Sequence, residues 1–285
     1  GGPVPAGYNP AATEIYAEGL RIPPIKIWDK GVPRDDILNM LFTNMRARRD
    51  QEGDFNALIG ACKVGARNLI GLLDKYGKEV VQDCIDELLA MAENHMRSMI
   101  KQVPDGTYNG MAILEDAGHG FGDMEITAEV TIKDDNCHIK IDSPPQIPYF
   151  INSYEGNSYS GVYLGLMMFA QLPPPYNEGL YRLTSVDMGE KGTLCNAKSP
   201  APHANCTTTP MGTLTDAVRL AFEKAAPDKV SASWGHANGC NIAGWDTRHD
   251  EEYVTMVLAS IISGAGATAE QDGWHAVGPE CCFGA

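Results

Sequence analysis

Apolar residues recur every three or four positions between Arg34 and Gln102, and this spacing predicts helices. One face of the first helix carries Ile37, Leu38, Leu41, Phe42 and Met45. The same period runs from Phe55 to Leu73 and resumes from Val81 to Met99. Gly77 stands between these last two runs and leaves a short connection. Two long helices joined so closely predict an antiparallel helical hairpin within residues 31–102.

The period changes to strict alternation after Asp105. Apolar residues occupy every second position from Met124 to Ile132 and again from Cys137 to Ile141. Asp134-Asp135-Asn136 between the runs is typical of a turn. This pattern predicts a β-hairpin with one buried face.

The remaining elements alternate between the two types. The patterns predict helices over 153–171 and 213–226, a strand over 180–186, and short strands over 230–234 and 253–260. Before residue 31 we expect a loop region with a short helix near Thr13. Together these elements predict an α+β fold with antiparallel sheet elements and a long helical hairpin packed alongside, in which 31–102 is helical and 103–285 is mixed.

Composition narrows the class of protein. The 285 residues are 44% hydrophobic and 21% charged, which is typical of a folded domain, and the formal net charge is -15. This acidity argues against nucleic acid and anionic membranes as partners. The longest apolar run, Val162 to Ala170, is too short to span a bilayer. Eight scattered cysteines, with Cys62 and Cys84 at apolar helix positions, predict a reduced cytoplasmic protein.

The densest chemistry lies in the block Pro173-Pro174-Pro175-Tyr176-Asn177-Glu178-Gly179-Leu180-Tyr181-Arg182. Three prolines end the preceding helix, and an aromatic ring, an amide, a carboxylate and a guanidinium follow around one glycine. Such a loop is either a functional site or a polar corner in which Glu178 pairs with Arg182.

A second candidate is Trp234-Gly235-His236-Ala237-Asn238-Gly239-Cys240-Asn241. His236 and Asn238 are groups that bind a carbonyl oxygen and move a proton, although a glycine-rich turn with satisfied amides is an equal alternative. Gly264-Ala265-Gly266-Ala267-Thr268 lacks the Gly-Lys-Ser/Thr ending of a phosphate loop. We therefore interpret its glycines as sites of close backbone packing.

Two further patterns are weaker. His203 with Cys206, and His236 with Cys240, have metal-ligand spacing, but their flanking residues favour irregular backbone over a zinc module. His119 and Asp123 form either a general base with its orienting acid or a turn capped by the aspartate.

The N-terminal motifs and the proline block together resemble the hydantoinase B/oxoprolinase family. The residues concerned are Gly1-Gly2-Pro3-Val4-Pro5-Ala6-Gly7, Thr13 to Pro24, Gly53-Asp54 and the Pro-Pro-Tyr-Asn-Glu-Gly-Leu-Tyr-Arg run. Within the family the chain is most similar to the large subunits of acetone and acetophenone carboxylases. Because it opens on Gly1 without Met, we expect a central fragment of such a subunit, truncated at both ends.

This resemblance implies that two subunits share the reaction. A hydantoinase A-type partner carries ATP and Mg, and ATP phosphorylates a substrate oxygen. In the carboxylases the activated ketone meets bicarbonate without biotin, whereas in the hydantoinase and oxoprolinase branch water opens a cyclic amide. We expect a ketone carboxylase subunit, with the amidohydrolase and a non-catalytic scaffold as alternatives.

The resemblance also suggests roles for single residues. The family's His-x-x-Asp metal motif would precede Gly1, so Mn or Zn would bind through upstream residues, and Arg21 stands where relatives have a further histidine ligand. We therefore assign no metal ligand in this chain. Arg21 and Arg182 are expected to bind oxyanions, unless Arg21 pairs with Glu14 or Glu18. The expected catalytic residues are His236, Asn238 and Glu178, and Asn177 and Tyr181 are expected to contact the substrate.

Overall fold

The computed structural model describes residues 9–235, 239–258 and 264–275, which form two compact units. Unit 1 comprises 9, 16–87 and 241–257, and unit 2 comprises 10–15, 88–235, 239–240, 258 and 264–275. The helices are α1 (Asp35–Thr43), α2 (Arg48–Tyr76), α3 (Lys78–Ile100), α4 (Glu155–Ala170) and α5 (Pro210–Ala225). The strands are β1 (Trp28–Asp29), β2 (Val32–Pro33), β3 (Gly106–Leu114), β4 (Met124–Lys133), β5 (Asn136–Asp142), β6 (Thr184–Asp187), β7 (Gly239–Asp246) and β8 (Glu251–Leu258). Short 3-10 helices cover Ile15–Ala17, Glu178–Tyr181 and Pro227–Lys229.

Unit 1 is built on long helices with little buried surface. α1 buries Leu41 and Phe42, and the ring of Phe42 packs edge-on against that of Phe55 in α2, with 5.3 Å between ring centroids. The strands β1 and β2 pair antiparallel, and β7 pairs with β8 in a second two-stranded sheet.

The fold is α+β, as predicted, and both helices of the predicted hairpin form with Gly77 between them. However, no residue of α2 is buried, and several residues of the two predicted apolar faces are exposed, namely Leu58, Leu69, Ile70, Ile85 and Leu88. Cys62 and Cys84 are exposed as well. Periodicity identifies an apolar helix face, but it does not specify which surface covers that face.

Unit 2 centres on a four-stranded sheet in the order β3-β4-β5-β6. β4 and β5 form the predicted antiparallel hairpin, in which Val130 pairs with Ile139, and every second residue is buried. β6 joins β5 in parallel, with Ile139 opposite Val186. β3 was not predicted because its pattern is irregular: Met111 and Ile113 are exposed, and Gly110 is the one buried residue.

Helix α5 packs on β3 and β4, and α4 packs on α5. Two glycines permit these contacts, since a methyl group at Gly110 would overlap the Ala217 carbonyl oxygen, and one at Gly165 would lie 2.9 Å from the Val218 side chain. Phe169 of α4 stacks on Phe222 of α5, with 4.3 Å between centroids. The second half of α3 adds Ala92, Met96 and Ile100 to this core.

Two predicted strands need correction. The segment predicted as a strand over 180–186 starts as the 3-10 helix Glu178–Tyr181, and the strand covers only Thr184–Asp187. The segment 230–234 forms no strand, because side chains of α5 hold it. Helix α5 begins three residues before its predicted start, with Pro210 in its first turn, where proline is favoured. In the described ranges, every helix is too short or too polar to cross a bilayer.

Candidate functional site

The proline block connects other elements of unit 2, and we call it the structural joint. The Asn177 side-chain oxygen accepts a hydrogen bond from the Gly179 amide at 2.9 Å and caps the 3-10 helix. The Asn177 side-chain amide donates to the Leu88 carbonyl at 3.0 Å. Both polar ends of Asn177 therefore bind backbone.

Arg182 forms a different ion pair from the one expected. Its guanidinium lies 3.4 Å from the Glu93 carboxylate on α3, and Glu93 lies 2.6 Å from Arg97 on the same helix. Arg97 in turn pairs with Asp135 in the β4–β5 turn. Glu178 is the exposed first residue of the 3-10 helix. The block therefore connects the sheet and α3 through Arg182, and of the two interpretations of this loop, the one in which Glu178 pairs with Arg182 is wrong.

Tyr181 packs against helix α4. Its ring stacks on that of Tyr163 with 4.1 Å between centroids, and its hydroxyl donates to the Met167 sulfur at 3.1 Å. Burial raises the pKa of both Tyr163 and Tyr181, so the phenols stay protonated near neutral pH. Tyr181 thus stabilises the position of the block beside α4.

The remaining predicted site residues lie elsewhere. Arg21, in unit 1, places its guanidinium 5.0 Å from the centroid of the Tyr16 ring, a cation–π contact between two exposed side chains. His236 and Asn238 lie outside the described residues. The structure therefore brings Asn177, Glu178, Tyr181 and Arg182 together along one short segment, and Arg21 belongs to the other unit.

The two weaker motifs also have a place in unit 2. The His203 ring nitrogen Nδ1 lies 3.8 Å from the Cys206 sulfur, while His236 and the Cys240 side chain lie outside the described residues. Across 9–235, 239–258 and 264–275, no three His, Cys, Asp or Glu side chains group as metal ligands.

The loop that holds His119 and Asp123 is closed by a side-chain cap. The Asp123 carboxylate accepts a hydrogen bond from the Asp116 backbone amide at 2.8 Å, which confirms the capped-turn interpretation. His119, with φ 51°, packs on the Tyr149 ring at 4.6 Å.

A cleft in unit 2 brings together three segments that the sequence singles out. Tyr176 comes from the proline block, Trp234 begins the second candidate segment, and Ala265, Gly266 and Thr268 belong to the glycine-rich run. The cleft has a volume of about 730 Å³. Its apolar lining consists of Leu164, Met167, Met168 and Leu172 from α4 and the residues after it, with Trp234 and Trp274. We define this space as the tryptophan cleft.

One wall of the tryptophan cleft is held by a buried ion pair on α5. The Arg219 guanidinium lies 3.0 Å from Asp216, donates a second hydrogen bond to the Ser231 carbonyl, and is 3% exposed. The Ser233 hydroxyl donates to the other oxygen of Asp216. Together these bonds fix the backbone that carries Trp234.

The glycine-rich run is hydrogen-bonded to this wall. The Ala232 amide donates to the Ala267 carbonyl at 2.7 Å, and the Gly235 amide donates to the Gly264 carbonyl at 2.9 Å. A methyl group at Gly266 would overlap the Ala232 carbonyl oxygen. The predicted role of these glycines in close backbone packing is therefore confirmed.

The polar part of the cleft has a distinct charge character. Its polar side chains are Gln171, Tyr176, Ser231, Thr268, Gln271 and Asp272, and of the fourteen lining residues none is basic. Such a lining offers amide and hydroxyl hydrogen bonds, but it does not neutralise a phosphate or a carboxylate. Sequence reasoning missed Trp274, Gln271 and Asp272, because nothing in the sequence links them to α4, about one hundred residues earlier.

Comparison with known proteins shows the family. The model of the family described as hydantoinase B/oxoprolinase matches residues 1–283, which is nearly the whole chain. The chain therefore belongs to the hydantoinase B/oxoprolinase family, as the N-terminal and proline-block motifs predict.

One relative is similar along the entire chain. The caprolactamase subunit beta of Pseudomonas jessenii is 68% identical over 286 residues, which cover 100% of this chain and 49% of the relative. The crystal structure of the ATP-dependent caprolactamase from that organism matches with a TM-score of 0.93, 67% identity, and the same coverage of 100% and 49%. The chain thus spans about half the length of the curated relatives that it matches.

The carboxylase likeness is more distant. The acetophenone carboxylase delta subunit of Aromatoleum aromaticum is 23% identical over 98% of this chain and 42% of its own length. A nucleotide-free acetone carboxylase structure matches with a TM-score of 0.79 at 18% identity, covering 99% of this chain and 39% of the other. The second match shows a shared fold.

Proposed function

We propose that this chain is part of one subunit of an ATP-dependent, heteromeric enzyme that hydrolyses a cyclic amide. The observation that carries the proposal is the 68% identity, over the full chain, to a caprolactamase subunit beta. From the sequence we expect ketone carboxylation first and amide hydrolysis as its alternative; this degree of similarity favours the alternative. The partner subunit in the proposal is of the hydantoinase A type and holds ATP and Mg.

The chemistry explains the need for ATP. Resonance between nitrogen and carbonyl makes an amide carbon a poor electrophile. Transfer of the γ-phosphoryl group to the carbonyl oxygen breaks that resonance and releases ADP. One water then adds to the carbon and the ring C–N bond breaks, which yields an amine and an acyl phosphate. A second water hydrolyses the acyl phosphate to a carboxylate and inorganic phosphate.

Several residue roles remain part of this proposal. His236 and Asn238 would move a proton or bind the carbonyl oxygen, and Arg21 would bind an oxyanion. A manganese or zinc ion, if the protein holds one, would bind through residues outside this chain. The protein is proposed to be cytoplasmic. These roles rest on residue chemistry and on the family resemblance.

Biotin-independent carboxylation of a ketone with bicarbonate is the second candidate. It is supported by the acetophenone carboxylase delta subunit, which is similar over 98% of this chain. The identity is 23% for this relative against 68% for the caprolactamase subunit, so we place carboxylation second.

The two candidates are separated by substrate assays on the full-length protein co-purified with its partner subunit. With caprolactam and ATP we expect stoichiometric ADP, phosphate and ω-amino acid. If labelled bicarbonate is fixed onto acetone or acetophenone and no lactam is hydrolysed, ketone carboxylation becomes the favoured function. A His236→Ala variant tests the scaffold alternative, because a scaffold would keep full turnover in the complex.

A further inference from the structure

We propose that the tryptophan cleft binds a neutral cyclic amide, with the ring of the ligand against its apolar wall and the amide group hydrogen-bonded by its polar side chains. This assignment rests on the proposed function and adds a location and a ligand class to it. The apolar wall consists of Met167, Met168, Trp234 and Trp274, and the polar side chains are those of Gln171, Thr268, Gln271 and Asp272.

Size and composition favour a small organic ligand. The volume of about 730 Å³ lies within the range of roughly 300–1,000 Å³ that is usual for small-molecule sites. Trp274 is 61% exposed and Tyr176 is 59% exposed at this cleft, and burial of such aromatic surface by a ligand is favourable. Two methionines in the lining adapt to ring shapes better than branched side chains do.

The backbone segments that carry the lining residues are held in place before any ligand binds. Arg219 and Asp216 fix the Ser231–Trp234 wall. The Thr268 hydroxyl accepts a hydrogen bond from the Gln271 backbone amide at 3.1 Å, and this bond fixes the turn that carries Gln271 and Asp272. Gln171 caps α4 in the left-handed conformation, with φ 45°. A preformed cleft loses little conformational entropy when a ligand binds.

Charge selects among the species of the proposed reaction. ATP, bicarbonate and an acyl phosphate are anions, and none of the fourteen lining residues is basic. Ring opening converts a neutral lactam into a zwitterionic amino acid, whose carboxylate finds no basic partner among the fourteen lining residues. The cleft therefore favours the closed ring over the opened product, and the cations that hold the phosphoryl donor next to the bound lactam must come from outside these fourteen residues.

The test uses the full-length protein in complex with its partner subunit. Caprolactam and its ring-opened ω-amino acid are titrated by calorimetry without ATP, and lactam hydrolysis is then measured with ATP. We expect Trp274→Ala to raise both the Kd and the KM for caprolactam at least tenfold, equivalent to about 1.4 kcal/mol, with kcat changed less than twofold. Gln271→Ala, at an exposed position, is expected to act in the same direction. The wild-type complex should bind the lactam at least tenfold more tightly than the amino acid.

Trp245→Ala is the matched control, because Trp245 is also exposed, belongs to unit 1 and lies outside the cleft. Unchanged Kd and KM in Trp274→Ala and Gln271→Ala, while the wild type hydrolyses caprolactam, would overturn the cleft assignment and leave the proposed function intact. Lactam binding that depends on Trp274, without any hydrolysis, would support the cleft assignment and overturn the proposed function.

Discussion

The backbone of Gly179 lies against the carbonyl oxygen of Leu89 so closely that a methyl group on Gly179 would overlap that oxygen. The neighbouring Asn177 donates its side-chain amide to the Leu88 carbonyl. The proline block thus docks on the backbone of α3 through Asn177 and Gly179. Its unusual composition is explained by this joint.

Gly179→Ala is expected to destabilise the protein by about 1–3 kcal/mol, because the added methyl group must displace the backbone of α3. Chemical unfolding of the full-length protein measures this change. Gly156→Ala is the matched control: Gly156 lies in α4, and the site of its missing methyl group is open. That variant should be neutral or slightly more stable. Equal stability of both variants would contradict the close approach.

Arg182→Ala is expected to lower stability by at most about 1 kcal/mol, because the Arg182 side chain is 44% exposed and its pair with Glu93 is screened by water. Since Arg182 serves the joint, the KM for lactam and for ATP should change less than twofold. Steady-state kinetics and unfolding of the same preparation measure both effects. A large rise in KM at unchanged stability would restore the oxyanion-binding role that the sequence suggests.

Arg219→Leu is expected to cost about 3–5 kcal/mol, because it leaves Asp216 buried beside the Trp234 wall without its guanidinium partner. Thermal unfolding measures the loss, and Trp234 fluorescence reports the displaced wall. Arg248→Leu is the control, since Arg248 pairs with Asp246 but its side chain is 81% exposed. A stable Arg219→Leu protein with unchanged fluorescence would show that the ion pair does not hold the wall.

Stability is expected to fall above pH 9. Burial raises the pKa of the Cys137 and Cys195 thiols from 9.0 to about 12, so between these values the unfolded chain releases protons that the folded protein retains. Each thiol then lowers the free energy of unfolding by about 1.4 kcal/mol per pH unit. Urea unfolding at pH 8 and pH 11 tests this, and Cys137→Ala should have a shallower pH dependence. If the stability of Cys137→Ala fell as steeply with pH as that of the wild type, the Cys137 thiol would not be a source of the pH dependence.

The local pattern of hydrophobic residues was sufficient to predict much of the secondary structure. Strict alternation from Met124 to Ile132 and from Cys137 to Ile141 predicts the β4–β5 hairpin, since one buried face requires a period of two. The break at Gly77 between two helical runs was equally evident. The family, too, was identified from the proline block and the N-terminal motifs.

Long-range contacts decided the rest. The sequence does not indicate that α2 leaves its apolar residues exposed, that Arg182 pairs with Glu93, or that Trp234 and Trp274 line one cleft. Periodicity reports which face of an element is apolar, because that depends on the residue's own chain neighbours. Which surface meets that face, and which distant side chains converge, depends on how the elements pack, and only the tertiary structure contains that information.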